Sequence, residues 1–313
     1  MDATPNQKAK GKLLELRQLR HFIAVVDGGS LGDAARHLRV SQPSLTKSIQ
    51  ALERSVGGAL FERSVQGMRP TALGRGLEAR ARVIAGEISR AEREINELLD
   101  GQRGKVAIAT GPSFAQRILP LALTRFHRNH PAIEVTIFDG LLPDVLPLVK
   151  TGVIDYAFYG TPNRLNDEDL AQEILMPGQG ISIVTAASNP LGAKGHVSPQ
   201  ELWQQPWALP IPPDYIREML EARFRELGLP PLRPVVELSS IATAKNILRD
   251  GNFLSVFMNL SVEDEIRRKV LRRIEAPEMS WVADCSAIYR CDVPLPPAAK
   301  KLLDEIRIVC AER

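Results

Sequence analysis

Three short segments with apolar residues at helical spacing open the chain, and little separates them. Leu16, Leu19, Phe22, Ile23 and Val26 share one face of a helix predicted over residues 15–27. Gly28-Gly29 ends it, because glycine tolerates the left-handed conformation that closes a helix. Ser30 then predicts an N-cap, with Asp33 three residues on to complete a capping box. Leu31, Ala34, Ala35 and Leu38 form the inner face of a second, short helix, whose adjacent alanines allow close helix approach. After a turn at Arg39-Val40, Ser41 caps a third helix with Pro43 in its first turn, where a missing amide proton costs nothing. Leu45, Ile49, Leu52 and Val56 make its buried stripe. The opposite face carries Gln42, Ser44, Thr46, Lys47 and Gln50, which are amides, hydroxyls and a single cation rather than the Glu/Lys mixture of an idle surface. Amides and hydroxyls can read base edges, and lysine can reach phosphate. Beyond Gly57-Gly58, residues 59–63 and 68–71 have the pattern of a two-stranded wing with its tip at residues 64–67 and with Arg63 and Arg69 on its strands.

From Leu73 to Leu99 no proline intervenes, and Leu77, Ala81, Ile84, Ile88, Ala91, Ile95 and Leu98 alternate four and three apart. That 3.5-residue period predicts a coiled-coil seam with charged residues such as Arg80, Glu87, Arg90 and Glu94 beside it. A helix lying on its own domain is the alternative. Pairing with a second copy would supply the two heads that a pseudo-palindromic DNA site requires.

A hinge at residues 101–104 precedes a change of texture to strands alternating with helices. Strands are predicted at 105–110, 133–139 and 154–159, with helices at 113–128 and 143–151 between them, an order that suggests parallel βαβ units. A second set of strands is expected at 181–186, 207–211, 235–238 and 254–257. The chain is expected to return to the first lobe at 271–274 and 282–289 and to close with a helix at 297–310. Two α/β lobes joined by crossing strands make a cleft, where ligands meet strand ends and helix N-termini.

Charge sharpens this division. Residues 1–82 hold 14 lysines and arginines against 7 acidic residues, and the remainder holds 26 against 30, so a basic head precedes a mildly acidic body. No stretch approaches the run of about 18 apolar residues that a membrane helix needs. The polar N-terminus, with Lys8, Lys10 and Lys12 and no apolar stretch behind them, lacks a signal-peptide pattern, which predicts a cytoplasmic protein. Cys285, Cys291 and Cys310 have neither CxxC spacing nor an even count, so reduced thiols are expected rather than disulfides or a metal site.

The stretch Leu19-Arg20-His21-Phe22, Gly29-Ser30-Leu31, Ala34-Ala35, Ser41-Gln42-Pro43-Ser44, Leu52-Glu53, Leu60-Phe61, Arg63 and Thr71-Ala72-Leu73-Gly74 resembles the LysR-type transcriptional regulators. The resemblance implies an α/β multidomain chain: a winged helix-turn-helix at 14–72, a dimer-forming linker helix at 73–100 and a two-lobed effector domain at 103–313 like periplasmic binding proteins. Lobe I is expected at about 103–178 and 270–313, and lobe II at about 179–269. Landmarks in the body are Leu119-Pro120, His130-Pro131, Gly152-Val153-Ile154-Asp155 and Asn189-Pro190-Leu191.

By this resemblance Gln42, Pro43, Ser44, Thr46 and Lys47 correspond to groove-contacting positions. The wing tip has Gln66 where members often carry arginine, so Arg63 or Arg69 would compensate. Ser113 matches the family's effector-binding hydroxyl after the first strand, where a helix N-terminus suits a carboxylate or other anion; a plain helix cap is the alternative reading. Leu142, Leu209, Pro210, Ile211 and Ser240 are the other candidate effector contacts. Leu141-Leu142 stands where many members place a second hydroxyl, which argues for a greasier ligand or other polar contacts, and Phe257-Met258-Asn259 departs from the family's proline-terminated strand. Promoter DNA, a small-molecule effector and further copies of the chain, as dimer or tetramer, are the implied partners.

Other classes fit poorly. The histidines show no HExxH spacing, and GxSxG, GxxxxGK[ST] and a strand-following GxGxxG are lacking, so neither an enzyme nor a cofactor or metal is expected. A free solute-binding protein would lack the helix-turn-helix. A DNA-binding regulator without an effector is the remaining alternative.

Overall fold

Glycine and serine at the predicted punctuation points divide the N-terminal helices in the computed structural model, which describes residues 14–64, 67–100, 104–161 and 165–312. The N-terminal lysines, Gln66, residues 101–103 of the expected hinge and the side chains of Arg63 and Leu98 lie outside the described residues. Helix α1 (Leu16–Gly28) closes on Gly29 at φ 62°. Before α2 (Leu31–Leu38), the Ser30 hydroxyl accepts from the Asp33 amide at 3.0 Å and donates to its carboxylate at 2.6 Å. Helix α3 (Gln42–Val56) starts at Ser41, whose Oγ accepts from the Ser44 amide at 3.4 Å. Strands β1 (Phe61–Ser64) and β2 (Gly67–Pro70) form the antiparallel wing. Phe22, Leu45, Leu52 and Leu60 are fully buried at the centre of this head.

The long helix α4 (Ala72–Asp100) divides its seam between two uses. Leu77 and Ala81 pack into the head's own core. Farther along, Ile84 and Ile95 are 40% and 56% exposed, so the apolar stripe outlasts what its own unit covers. The part of the helix up to Ala81 thus lies on its own domain, and the seam beyond it stays exposed at Ile84 and Ile95.

The chain splits into two compact units, residues 1–92 and 93–313. In the second, β3 (Gly104–Thr110) lies between β4 (Ile133–Asp139) and β5 (Tyr156–Thr161), parallel to both. A π-turn (Phe114–Ile118) and α5 (Leu119–Asn129) make the first crossover, and α6 (Leu142–Lys150) the second. Strand β6 begins earlier than expected and runs unbroken from Leu170 to Ala186, out of one lobe into the other. The second lobe contains α7 (Pro199–Trp203), β7 (Ala208–Pro210), α8 (Tyr215–Glu226), β8 (Val236–Leu238), α9 (Ile241–Asp250), β9 (Ser255–Met258), α10 (Asn259–Arg267) and β10 (Leu271–Arg273). Strand β11 (Trp281–Arg290) returns along β6, and α11 (Pro297–Ala311) packs on the first lobe.

One boundary changes. Strand β10 pairs with Val184–Ala186 of β6, beside the β9 partners Ile181–Val184, so it belongs to the second lobe. The chain re-enters the first lobe on β11 rather than at residue 270. Three-residue strands carry no side-chain signal of which neighbour they join. Among the described residues no helix is long and apolar enough to cross a membrane.

The first turn of α4 presses against the strand entering the wing. A Cβ on Gly74 would collide with the Leu60 carbonyl oxygen, a backbone atom that cannot swing aside. Gly74→Ala is expected to destabilise the head by about 1–3 kcal/mol, the usual cost of overpacking. Native-state hydrogen exchange should rise across Leu16–Val56 and stay unchanged in β3 to β5.

Candidate nucleic-acid interface and interlobe cleft

The inner side of α3 is fixed by burial and by one polar tie. Leu45, Ile49 and Leu52 are buried, and the Ser48 hydroxyl lies 2.8 Å from Nδ1 of His21 on α1. Burial, helped by the nearby Arg17 guanidinium, holds the His21 imidazole below its ordinary pKa. The outer side is left open. Gln42, Pro43, Ser44, Lys47 and Gln50 are exposed, and among the described residues no hydrogen bond or ion pair engages the side chains of Gln42, Ser44 or Lys47. Thr46 is half-buried and donates its hydroxyl to the Gln42 carbonyl at 2.9 Å, so only its acceptor capacity remains.

The wing is anchored to the same surface. The Met68 amide donates to the Gly29 carbonyl at 2.7 Å, and a Cβ on Gly67 (φ 116°) would strike that same oxygen. Arg69 is exposed on β2, and Arg63 occupies β1 opposite Met68. The head thus presents one rigid polar helix face with a basic hairpin docked on the α1–α2 turn.

In the second unit the candidate residues fall into two groups, each at or beyond the carboxyl ends of parallel strands. Ser113 and Leu142 follow the neighbours β3 and β4, while Pro210 ends β7 and Ile211 and Ser240 follow the neighbours β7 and β8. Ser113 does not cap the helix, since its backbone is helical (φ −64°, ψ −44°) and its side chain makes no capping bond. Its buried hydroxyl faces that of Ser261 on α10, 3.5 Å away in the other lobe. Leu142 is half-buried against Val145 and Val149.

Leu209 is a correction. It is completely buried in the main core with Trp207 and Phe224 and has no surface to offer a ligand. Strand β7 is covered on both sides, so Ala208 is as fully buried as Leu209. Pro210 accepts from Arg217 Nη1 at 2.8 Å through its carbonyl, Ile211 is 47% exposed, and Ser240 is the exposed N-cap of α9, accepting from the Thr243 amide at 3.3 Å.

Gly160, Met258 and Tyr215 meet at the lobe junction. A Cβ on Gly160, at the end of β5, would overlap both the Met258 methyl and the Tyr215 hydroxyl, side chains from the opposite lobe. The Met258 sulfur lies 3.5 Å from the Cys285 thiol on β11. Burial pushes the Cys285 thiol up to about 12 and the Tyr215 phenol well above its ordinary value. The departure at Phe257-Met258-Asn259 was the one sequence signal for this wall. Nothing local marked Tyr215 or Ser261. Cys285 and Cys310 are buried free thiols, while Cys291 is exposed.

Residues 16–75 match the family model described as bacterial regulatory helix-turn-helix protein, lysR family, and residues 99–311 match the LysR substrate binding domain. The chain is 30% identical over 291 residues to the HTH-type transcriptional regulator CbbR of Xanthobacter flavus, covering 92% of this chain and 86% of that one. It is also 30% identical over 296 residues to GbpR of Azospirillum brasilense, covering 94% and 86%. In fold it is similar to full-length CbnR crystallised with its target DNA, at 22% identity and a TM-score of 0.65, covering 95% of this chain and 100% of that one.

The uncommitted face of α3 gives a direct test. Gln42→Ala is expected to cost about 1–3 kcal/mol on a cognate site and to relax sequence preference there. Lys47→Ala should instead weaken cognate and random DNA alike and lower the slope of log affinity against log salt by about one. Fluorescence anisotropy titrations at several salt concentrations separate the two. A Gln42→Ala variant with unchanged preference would remove α3 as the reading element.

Proposed function

The chain belongs to the LysR family of bacterial helix-turn-helix regulators, and from that premise we propose how this DNA-binding transcriptional regulator divides its work among named residues. The observation that carries the DNA reading is the outward face of α3, whose polar side chains are exposed while its inner face is locked to α1. Gln42 and Ser44 read base edges, Thr46 accepts from a base or a phosphate-bound water, Lys47 meets phosphate, and Pro43 fixes the helix start. Arg63 and Arg69 hold the backbone flanking the groove. CbnR has been crystallised on its target DNA with the same fold, which supports this docking.

A second copy completes the reader. Ile84 and Ile95 are exposed along α4, and burying two such stripes against each other removes apolar surface from water at roughly 25 cal/mol per Å². A homodimer through α4, or a tetramer of two dimers, follows from this. Replacing both Ile84 and Ile88 by Glu puts like charges in the seam of each copy. The mass measured by analytical ultracentrifugation should fall toward that of a single chain and DNA affinity should drop, and an unchanged mass would assign the dimer contact elsewhere.

The effector enters between the lobes, with Ser113 and its opposite hydroxyl Ser261 as polar contacts, and with Leu142, Pro210, Ile211 and Ser240 on the rim. A small carboxylate-bearing molecule with an apolar body suits hydroxyl donors beside half-buried and exposed apolar groups. A cytoplasmic location fits a protein that reads DNA. The test is a thermal-shift screen of small carboxylates and aromatic acids, followed by calorimetry on Ser113→Ala with the best hit. Binding should weaken by about 1–2 kcal/mol, the worth of one hydrogen bond to a charged group partly replaced by water. Basal DNA binding should persist. Equal affinities would move the anion contact off Ser113.

A further inference from the structure

Away from Gly160, the lobes also meet through charge. The helical segment after β3 is wound as a π-turn over Phe114–Ile118, a rare geometry that is often found at functional positions. It carries Gln116 and Arg117, which meet α9 and α10 of the second lobe. Arg117 Nη1 lies 3.0 Å from Asp264 Oδ1, and its Nε lies 3.8 Å from Glu263. Lys245 on α9 is held by Glu265 at 3.0 Å and donates to Gln116 across the lobes at 3.3 Å. Asp264 is shared, for Arg267 on the same helix also reaches it at 2.7 Å.

Gln116, Arg117, Lys245, Asp264 and Glu265 line, with Ser261, a cavity of about 40 Å³, room for roughly one or two waters. Arg117 Nε and Glu265 Oε2 are buried there with no hydrogen-bond partner among the described residues. An apolar seam of this size would favour permanent closure. Here the contact is ionic and partly exposed, and pairs of that kind contribute little net stability. Opening leaves Asp264 with Arg267 and Lys245 with Glu265, so the second lobe keeps a partner for these charges while Arg117 is released to solvent.

We propose that this cluster is a reversible latch between the lobes: Arg117 and Gln116 on the π-turn engage Glu263, Asp264 and Lys245 to hold the cleft closed in a nearly balanced equilibrium that ionic strength shifts. The latch sets the resting position of the lobes whichever molecule occupies the cleft, so it stands independently of the Ser113 reading. The hinge is the pair of crossing strands β6 and β11.

Hydrogen exchange on the full chain tests it. Arg117→Met keeps the aliphatic stem and removes the charge. Exchange of amides in 114–119 and 259–267 should accelerate together by about threefold to tenfold, as in opening of one local unit, while β3, β4 and β5 stay protected. Raising salt from about 0.1 M to 1 M shortens the screening length from about 10 Å to 3 Å and should do the same to the unmodified protein. Salt should then add little in the double variant Arg117→Met/Lys245→Met. The latch is overturned if salt leaves the unmodified protein's two segments unchanged or affects the double variant equally. It also fails if the acceleration spreads through β3 to β5, because that reports general loosening.

Discussion

The ladder between β6 and β11 is the constraint on which the second unit depends. Nine residue pairs join Trp281–Arg290 to Leu170–Ile181, and β5, β9 and β10 hydrogen-bond directly to one of these two. A polar tie stitches it to the first lobe, since Gln172 Nε2 donates to Thr161 Oγ1 at 2.8 Å and to Ser286 Oγ at 3.0 Å. The register shifts on either side of Cys285, and such irregularity bends and twists a strand locally. That break lies opposite Gly160 and beside Met258. The bend in the ladder and the lobe junction are therefore the same place in the chain.

That coincidence gives the junction its chemistry. At Gly160 the lobes touch through a methyl and a phenol, with two sulfur atoms behind them, a soft contact that repacks at modest cost. At Ser113 they touch through two hydroxyls, and at Arg117 through an ion pair. A ligand can shift such an equilibrium only by its unequal affinity for the two states, and a junction of weak, varied contacts is one that a small molecule can outweigh.

The head obeys the opposite rule. Its helices are tied by Phe22, Leu45, Leu52 and Leu60, by the His21–Ser48 bond and by Arg82 on α4, which reaches Asp27 at 2.5 Å and Glu78 at 2.9 Å. These ties hold the outward face of α3 in one geometry. Arg93, the first residue of the second unit, is tied just as firmly within that unit, donating to Asp155 at 3.2 Å and to the Gly152 carbonyl at 3.3 Å.

Sequence alone determined the head almost completely, because its signals are local: Ser30, Ser41, Gly29 and the apolar spacing of α1 to α3 each act within one turn or two. It also determined the α/β texture of the body and, through unbroken motif spacing, the family. The exposed polar face of α3 was legible for the same reason, since a helix with one buried stripe must show the other. What only the tertiary structure decided depends on which strand lies beside which. Leu209 reads like its neighbours Pro210 and Ile211, yet packing on both sides of β7 buries it in the core. Strand β10 joins the second lobe because its three residues meet β6 there. Ser261, Tyr215, Met258 and the Arg117–Asp264 pair come from segments some 50 to 150 residues away from their partners, and no pattern of hydrophobic and polar positions encodes contact across that distance.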